Sequence, residues 1–246
     1  KGNSIFAAYS FWDTTHLYHY GISRSTDKGV TWSPTALSNT TDSLQAYSLA
    51  ANSSFIFAGT KNGVYRSSSN GDAWTPVPSG YTFMVQSIAV NNSYIFAGTY
   101  IFDGCVGYNT PKIYRSSDNG DSWAAINDSI FATTLAVSGT DLFAISMDPA
   151  NLYKKYGLYR SSDNGMTWKD VLSFPLSGIA ISGDTIIIST SPNGNAGNIL
   201  FSADKGATWT QTEGVCVATS NLVVNNGYLF TVDLGGNIWR RPLVGL

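Results

Sequence analysis

The pattern Ser-x-Asp-x-Gly-x-x-Trp recurs along this chain and limits its fold more than any other feature. Copies run from Ser25 to Trp32, Ser116 to Trp123, Ser161 to Trp168 and Ser202 to Trp209, and a fifth, Ser67 to Trp74, has Ser69 in the Asp position. The five tryptophans stand at 32, 74, 123, 168 and 209, a period of 41 to 49 residues. Short strand signals fill every unit. That period with that content predicts the blades of a β-propeller.

Four strands, A to D, can be read in each repeat. In the third, Ser87 to Val90 reads as A, Tyr94 to Thr99 as B and Lys112 to Ser117 as C, with D beginning at Trp123. Apolar, β-branched and aromatic runs bounded by Gly, Asn, Ser and Asp are what hairpins require. The ends are incomplete. Ser4 to Tyr9 matches strand B with no A before it, and Asn221 to Val224, Tyr228 to Val232 and Asn237 to Arg241 match A, B and C with no box after them. The expectation is an all-β propeller of four-stranded antiparallel blades, six in number, with partial first and last blades. Seven are possible if residues precede Lys1. Residues 1–246 are taken as one domain, excised or processed from a longer chain.

Within the motif, Asp accepts bonds from turn amides, and Gly takes a positive φ that a Cβ would oppose. Burying the indole contributes about 4–6 kcal/mol gross at ~25 cal/mol per Å². The structural set is Asp27, Gly29 and Trp32; Gly71 and Trp74; Asp118, Gly120 and Trp123; Asp163, Gly165 and Trp168; and Asp204, Gly206 and Trp209. Asp118-Asn119-Gly120-Asp121 has the look of a calcium loop, yet it lacks the alternating oxygen ligands and the distal Glu.

These residues resemble the Asp box, or bacterial neuraminidase repeat. That motif belongs to β-propellers such as sialidases, xyloglucanases, sortilin-type receptors and photosystem-assembly factors. The family mixes enzymes with binding proteins, so the resemblance speaks for fold and not for activity. The ending Gly236 to Leu243 also resembles, over a short stretch, propellers that precede a sorting domain in type IX secretion cargo.

A sialidase-like site implies three arginines on a carboxylate, a Tyr–Glu nucleophile pair and an Asp acid/base. Arg24, Arg66, Arg115, Arg160 and Arg240 all hold one repeat position on strand C, which points to blade architecture. No Arg-Ile-Pro is present, and Glu213 is the single glutamate. A xyloglucanase-like pair of carboxylates would draw on Asp13, Asp103 or Asp148, since glycosidases place two carboxyls about 5–10 Å apart. His16 and His19 are the two histidines, with no nucleophile elbow beside them and no further ligands to suggest a metal. No catalytic residue, metal or cofactor is assigned.

Propeller connectivity puts A–B and C–D turns on one face and B–C and D–A connections on the other. The second face carries long aromatic B–C loops, the first running from Phe11 to Tyr20, where function on a rigid scaffold usually sits. Binding candidates there are Trp12, Asp13, His16, Tyr18, Tyr81, Tyr100, Asp103, Tyr108, Tyr153 and Tyr156. Rings flanked by polar groups suit carbohydrate or peptide recognition. The competing reading is that they pack loops against the rim or an adjoining domain. Cys105 and Cys216 fall on the same face, and sequence leaves their pairing open.

Composition narrows the partners. Net charge is −2, and 14 Lys and Arg are spread without a basic stripe, so neither nucleic acid nor an anionic membrane is expected. No apolar run reaches the roughly 18 residues of a membrane helix. Few charges with much Gly, Ser, Thr and Asn suit a secreted or cell-surface repeat protein. The expected role is a non-catalytic binding module for a glycan or an extracellular protein. A glycoside hydrolase and a structural segment of a larger surface protein are the alternatives.

Overall fold

The computed structural model describes residues 4–16, 18–38, 44–78, 84–100, 112–127, 129–146, 157–190, 197–212, 222–225, 227–232 and 238–243. They form six antiparallel sheets, the blades of a β-propeller. The first sheet is β1 (Ile5–Trp12), β2 (Tyr18–Ser25) and β3 (Ser33–Pro34). The second is β4 (Ala46–Ala51), β5 (Ile56–Thr60), β6 (Gly63–Ser67) and β7 (Thr75–Pro76). The third is β8 (Met84–Val90), β9 (Ile95–Tyr100), β10 (Lys112–Ser116) and β11 (Ala124–Asn127).

The fourth is β12 (Ala132–Ser138), β13 (Asp141–Ser146), β14 (Gly157–Ser161) and β15 (Lys169–Leu172). The fifth is β16 (Leu176–Ser182), β17 (Thr185–Thr190), β18 (Ile199–Ser202) and β19 (Thr210–Gln211). The sixth is β20 (Leu222–Asn225), β21 (Tyr228–Val232) and β22 (Ile238–Pro242). Three strands, four complete sheets and three strands are what the repeat count implies. Contacts divide the chain into two compact units, residues 1–135 and 136–246.

Within the first unit, each sheet packs on the next through one repeated set of residues. Phe6 of the first sheet meets Leu49, Ala58, Tyr65 and Trp74 of the second. Phe57 of the second, fully buried, meets Val85, Ile88, Tyr114 and Trp123 of the third. In the second unit, Phe143 of the fourth sheet meets Leu176, Ile186, Ile188 and Trp209 of the fifth. In these three pairs the strand-B phenylalanine and the next sheet's motif Trp share one apolar cluster. B strands covered on both faces read as continuous apolar runs, as in Ile186-Ile187-Ile188, all at 0% exposure.

Close approach also dictates a small residue. A Cβ on Gly59 would stand 2.9 Å from the Val85 carbonyl of the next sheet's inner strand, so the Ala-Gly-Thr ending of β5 keeps that spacing.

Two boundaries differ from the sequence reading. The motif Trp precedes strand D instead of opening it, because its indole is committed to the turn. The segment Phe11–Tyr20 is mostly ladder and not a loop, with Phe11 opposite His19 and Trp12 opposite Tyr18. Stacking of Phe11 on His19 across the strands accompanies a ladder that runs to the Trp12–Tyr18 pair.

Candidate functional site

Each motif folds as a turn braced by its own side chains. In the first, Ser25 Oγ donates to Asp27 Oδ1 at 2.8 Å and accepts from Gly29 N at 2.7 Å. Asp27 accepts from Thr31 N and Thr31 Oγ1 at 2.9 and 2.5 Å, and Trp32 Nε1 donates to the Gly29 carbonyl at 3.1 Å. The third, fourth and fifth turns repeat this around Asp118, Asp163 and Asp204. Two successive residues take positive φ, such as Asn119 at 57° and Gly120 at 93°. Asn and Gly tolerate that region best.

Donors converging on a carboxylate favour its charged form. The Thr31 hydroxyl, foremost, holds Asp27 at about 2. The Ser122 and Thr167 hydroxyls lead in holding Asp118 and Asp163 at about 2. Asp204 is held lower still, first by Ser202. Carboxylates so acidic and so fully engaged brace a turn and are poorly suited to shuttle protons.

The turn with Ser69 is the exception. Ser69 Oγ accepts from Ala73 N at 2.8 Å but lies 3.5 Å from Ser67 Oγ. The Trp74 indole nitrogen in this turn is buried without a hydrogen-bond partner.

The repeated arginines clasp the following turn. Arg24 Nη1 donates to the Asn70 carbonyl at 2.7 Å and to Asp72 at 2.8 Å. Arg66 reaches the Asn119 carbonyl at 2.7 Å and Asp121 at 2.7 Å. Arg160 reaches the Lys205 carbonyl at 3.1 Å. Each target is the positive-φ residue before the motif Gly. These three guanidinium groups are thus committed to sheet-to-sheet contacts rather than to a shared ligand.

The best-formed candidate surface is the tip of the β1–β2 hairpin. Asp13 accepts from Thr15 N at 2.8 Å and Thr15 Oγ1 at 2.7 Å. Its other oxygen lies 2.8 Å from His19 Nε2, which donates when that nitrogen carries its proton. The His19 ring stacks on Phe11 with centroids 5.0 Å apart and planes at 16°, and Tyr9 adjoins Phe11 at 5.9 Å. Phe11 remains 51% exposed. His16, exposed at φ 63°, closes the turn by donating its N–H to the Asp13 carbonyl at 3.1 Å.

Of the sequence candidates, Asp13 and His16 are brought together here. Trp12 and Tyr18 form the last pair of the ladder. Tyr100 ends β9 opposite Met84, in a strand and not in a loop. Tyr81, Asp103, Tyr108, Tyr153 and Tyr156 lie outside the described residues, as do Cys105, Cys216, Asp148 and Glu213. The sequence reading missed Phe11 and His19 as partners. The period-2 placement of Tyr9 and Phe11 was the available signal. Among the described residues, no group of three His, Cys, Asp or Glu could hold a metal ion.

A second concavity lies in the unit 136–246. A groove of about 300 Å³ is lined by Phe174, Pro175, Thr190, Asn198, Leu200 and Gln211. It sits where B ends, C begins and D passes to A, and no candidate residue marked it in the sequence.

No protein-family model matches the chain, and no curated protein does. Solved structures do. The GH74 enzyme of Niastella koreensis superposes on 97% of this chain with a TM-score of 0.69 at 22% identity. YCF48 bound to D1 peptide covers 91% with a TM-score of 0.64 at 18% identity, and this chain spans 72% of it. A chain of a nidogen–laminin complex covers 98% with a TM-score of 0.66 at 12% identity, and 90% of that chain is spanned. The chain spans less than half of the GH74 enzymes, 43% of the Niastella enzyme and 36% of the one from Xanthomonas campestris. At such identities the likeness is one of fold: the protein is a β-propeller.

Proposed function

We propose that this chain is a non-catalytic interaction module of the Asp-box type, secreted or at the cell surface. It binds a glycan or an extracellular protein through the face opposite the motif turns. One observation supports this reading above the others: Phe11 is half exposed yet held flat on His19, which Asp13 fixes in turn. A ring fixed before binding loses little conformational freedom when a partner stacks on it. The fold relatives include a propeller bound to a peptide and one in a protein complex.

The test is a glycan-array and surface-protein screen of the purified chain beside Phe11→Ala and His19→Ala. A selective partner should lose roughly tenfold in affinity with either variant, the value of one aromatic contact. A partner bound equally by all three chains would remove the hairpin tip from the site.

GH74 enzymes among the relatives favour a second reading, glycoside hydrolysis with Asp13 as one carboxylate. Xyloglucan cleavage that disappears in Asp13→Asn, while the variant keeps the parent's melting temperature, would establish it. No release of oligosaccharide by the parent chain would end it.

A further inference from the structure

The fifth sheet departs from the repeat at one position on strand C. Two residues before the motif Ser, the second, third and fourth sheets carry Tyr65, Tyr114 and Tyr159, and the fifth carries Leu200. This position faces the preceding sheet. Tyr114 shares an apolar cluster with Phe57, and Leu200 shares one with Phe143 and Phe174. Two residues earlier still, the second and fourth sheets have Gly63 and Gly157, where the fifth has Asn198. In the fourth sheet the Tyr159 ring covers Gly157, 3.6 Å from where a Cβ would stand. The shorter Leu200 covers less, and the groove of about 300 Å³ opens beside it.

Strand register sets the walls of this groove. Leu200 pairs with Ile188 on one side and Gln211 on the other, so Asn198, Leu200 and Gln211 share one face of the sheet. Phe174 and Pro175, on the way from β15 into β16, line it from the fourth sheet. The backbone beneath is tied down. Thr190 N donates to the Asn198 carbonyl at 2.9 Å, and Asn198 N donates to Thr190 Oγ1 at 2.8 Å. Thr212 N and Oγ1 both donate to the Ile199 carbonyl, at 2.9 and 3.1 Å, which fixes β19 next to Gln211. Among the described residues, the side-chain amides of Asn198 and Gln211 have no hydrogen-bond partner. None of the lining residues is charged.

We propose that this groove binds one neutral sugar residue of a glycan. Each idle carboxamide is both donor and acceptor, as the neighbouring hydroxyls on the edge of a pyranose ring require. Phe174, Pro175 and Leu200 offer apolar surface to the C–H face of the same ring. An uncharged lining selects against uronic acids and amino sugars, whose charge would be desolvated without a counter-ion. An apolar peptide side chain would fill the space but leave both amides desolvated and unpaired. The volume stands at the small end of ligand sites, which suits a single ring. This inference rests on the reading of the chain as a binding module, and its site, in the unit 136–246, is separate from the hairpin tip.

The test titrates the methyl glycosides of glucose, galactose and mannose into the isotope-labelled chain, with glucuronic acid and glucosamine as charged counterparts. NMR follows the side-chain amide signals of Asn198 and Gln211. At least one neutral glycoside should move both, with a Kd of roughly 1–10 mM, as few ligand atoms allow. Leu200→Tyr restores the residue of the other sheets and should weaken that binding roughly tenfold or more by filling the groove. Gln211→Ala, at an exposed position, should weaken it about fivefold. Phe11→Ala should leave it unchanged. Amide signals that no neutral glycoside moves, or that move equally in Leu200→Tyr, overturn the proposal and leave the hairpin tip untouched. Binding that falls in Phe11→Ala but not in Leu200→Tyr overturns it in favour of the tip. Where Leu200→Tyr lowers the melting temperature, Gln211→Ala decides, and affinity equal to the parent's overturns the proposal.

Discussion

Arg160 donates both Nε and Nη2 to one oxygen of Asp141, at 3.1 and 3.0 Å, and that carboxylate is only 3% exposed. Lys205 holds the other oxygen at 3.0 Å. Asp141 stands where the second and third sheets have Phe55 and Tyr94, the rings beneath Arg66 and Arg115. One repeated arginine is therefore anchored by a π face in the second, third and sixth sheets and by a buried carboxylate in the fourth.

Removing that carboxylate leaves Arg160 with the Lys205 carbonyl and Lys205 with Asp184. Asp141→Ala is expected to lower unfolding free energy by about 1.5–3 kcal/mol, the cost of losing hydrogen bonds between charged groups when the cations left behind are partly exposed. Asp141→Tyr restores the arrangement of the third sheet around Arg160 and should lose about 1–2 kcal/mol less. Urea unfolding of both variants measures the difference. Equal losses would mean that Lys205, not Arg160, dominates the site.

The second turn is open to repair. Ser69→Asp with Ala73→Thr supplies the carboxylate and hydroxyl of the other motifs. The pair should raise stability by about 1–2 kcal/mol, since bonds to a charged acceptor are worth more than neutral ones. Thermal melts of each single variant and the double would show the gain concentrated in the double.

Backbone strain gives a further prediction. Lys28 sits at φ 63° in the turn position that Asn119 and Asn164 occupy elsewhere. Lys28→Asn should stabilise by roughly 0.5–1 kcal/mol, because Asn enters the left-handed region more readily. An unchanged melting temperature would show that the exposed first turn already relaxes the strain.

Acid sensitivity follows from the turn carboxylates. Asp163 titrates near 3.8 when unfolded and at about 2 when folded. Between these values the unfolded chain binds more protons, so the contribution is complete above the unfolded value and falls as pH drops toward the folded one. Melting temperature should decline across that window with a shallower slope in Asp163→Asn. Identical slopes for parent and variant would locate the acid transition elsewhere.

Much of the fold was legible because its signals are local. A Ser, an Asp and a Gly within five residues close their own turn, and the motif repeats at a blade's spacing. The first hairpin was misread because Phe11, Trp12, Tyr18 and Tyr20 resemble a loop until strand register pairs them. Asp141 escaped notice for a similar reason. Its importance lies in Arg160 and Lys205, 19 and 64 positions away, and no local pattern marks that distance.

By itself the sequence determined the turns and the order of strands within each repeat, since each depends on residues near in the chain. Only the tertiary structure decided what the arginines and tryptophans do. The arginines' turn-carbonyl partners belong to the neighbouring sheet, 45 to 53 residues away, while the ring or carboxylate beside each guanidinium comes from its own sheet. It likewise decided that Asp13, His19 and Phe11 form one surface, because hairpin register sets which side chains meet.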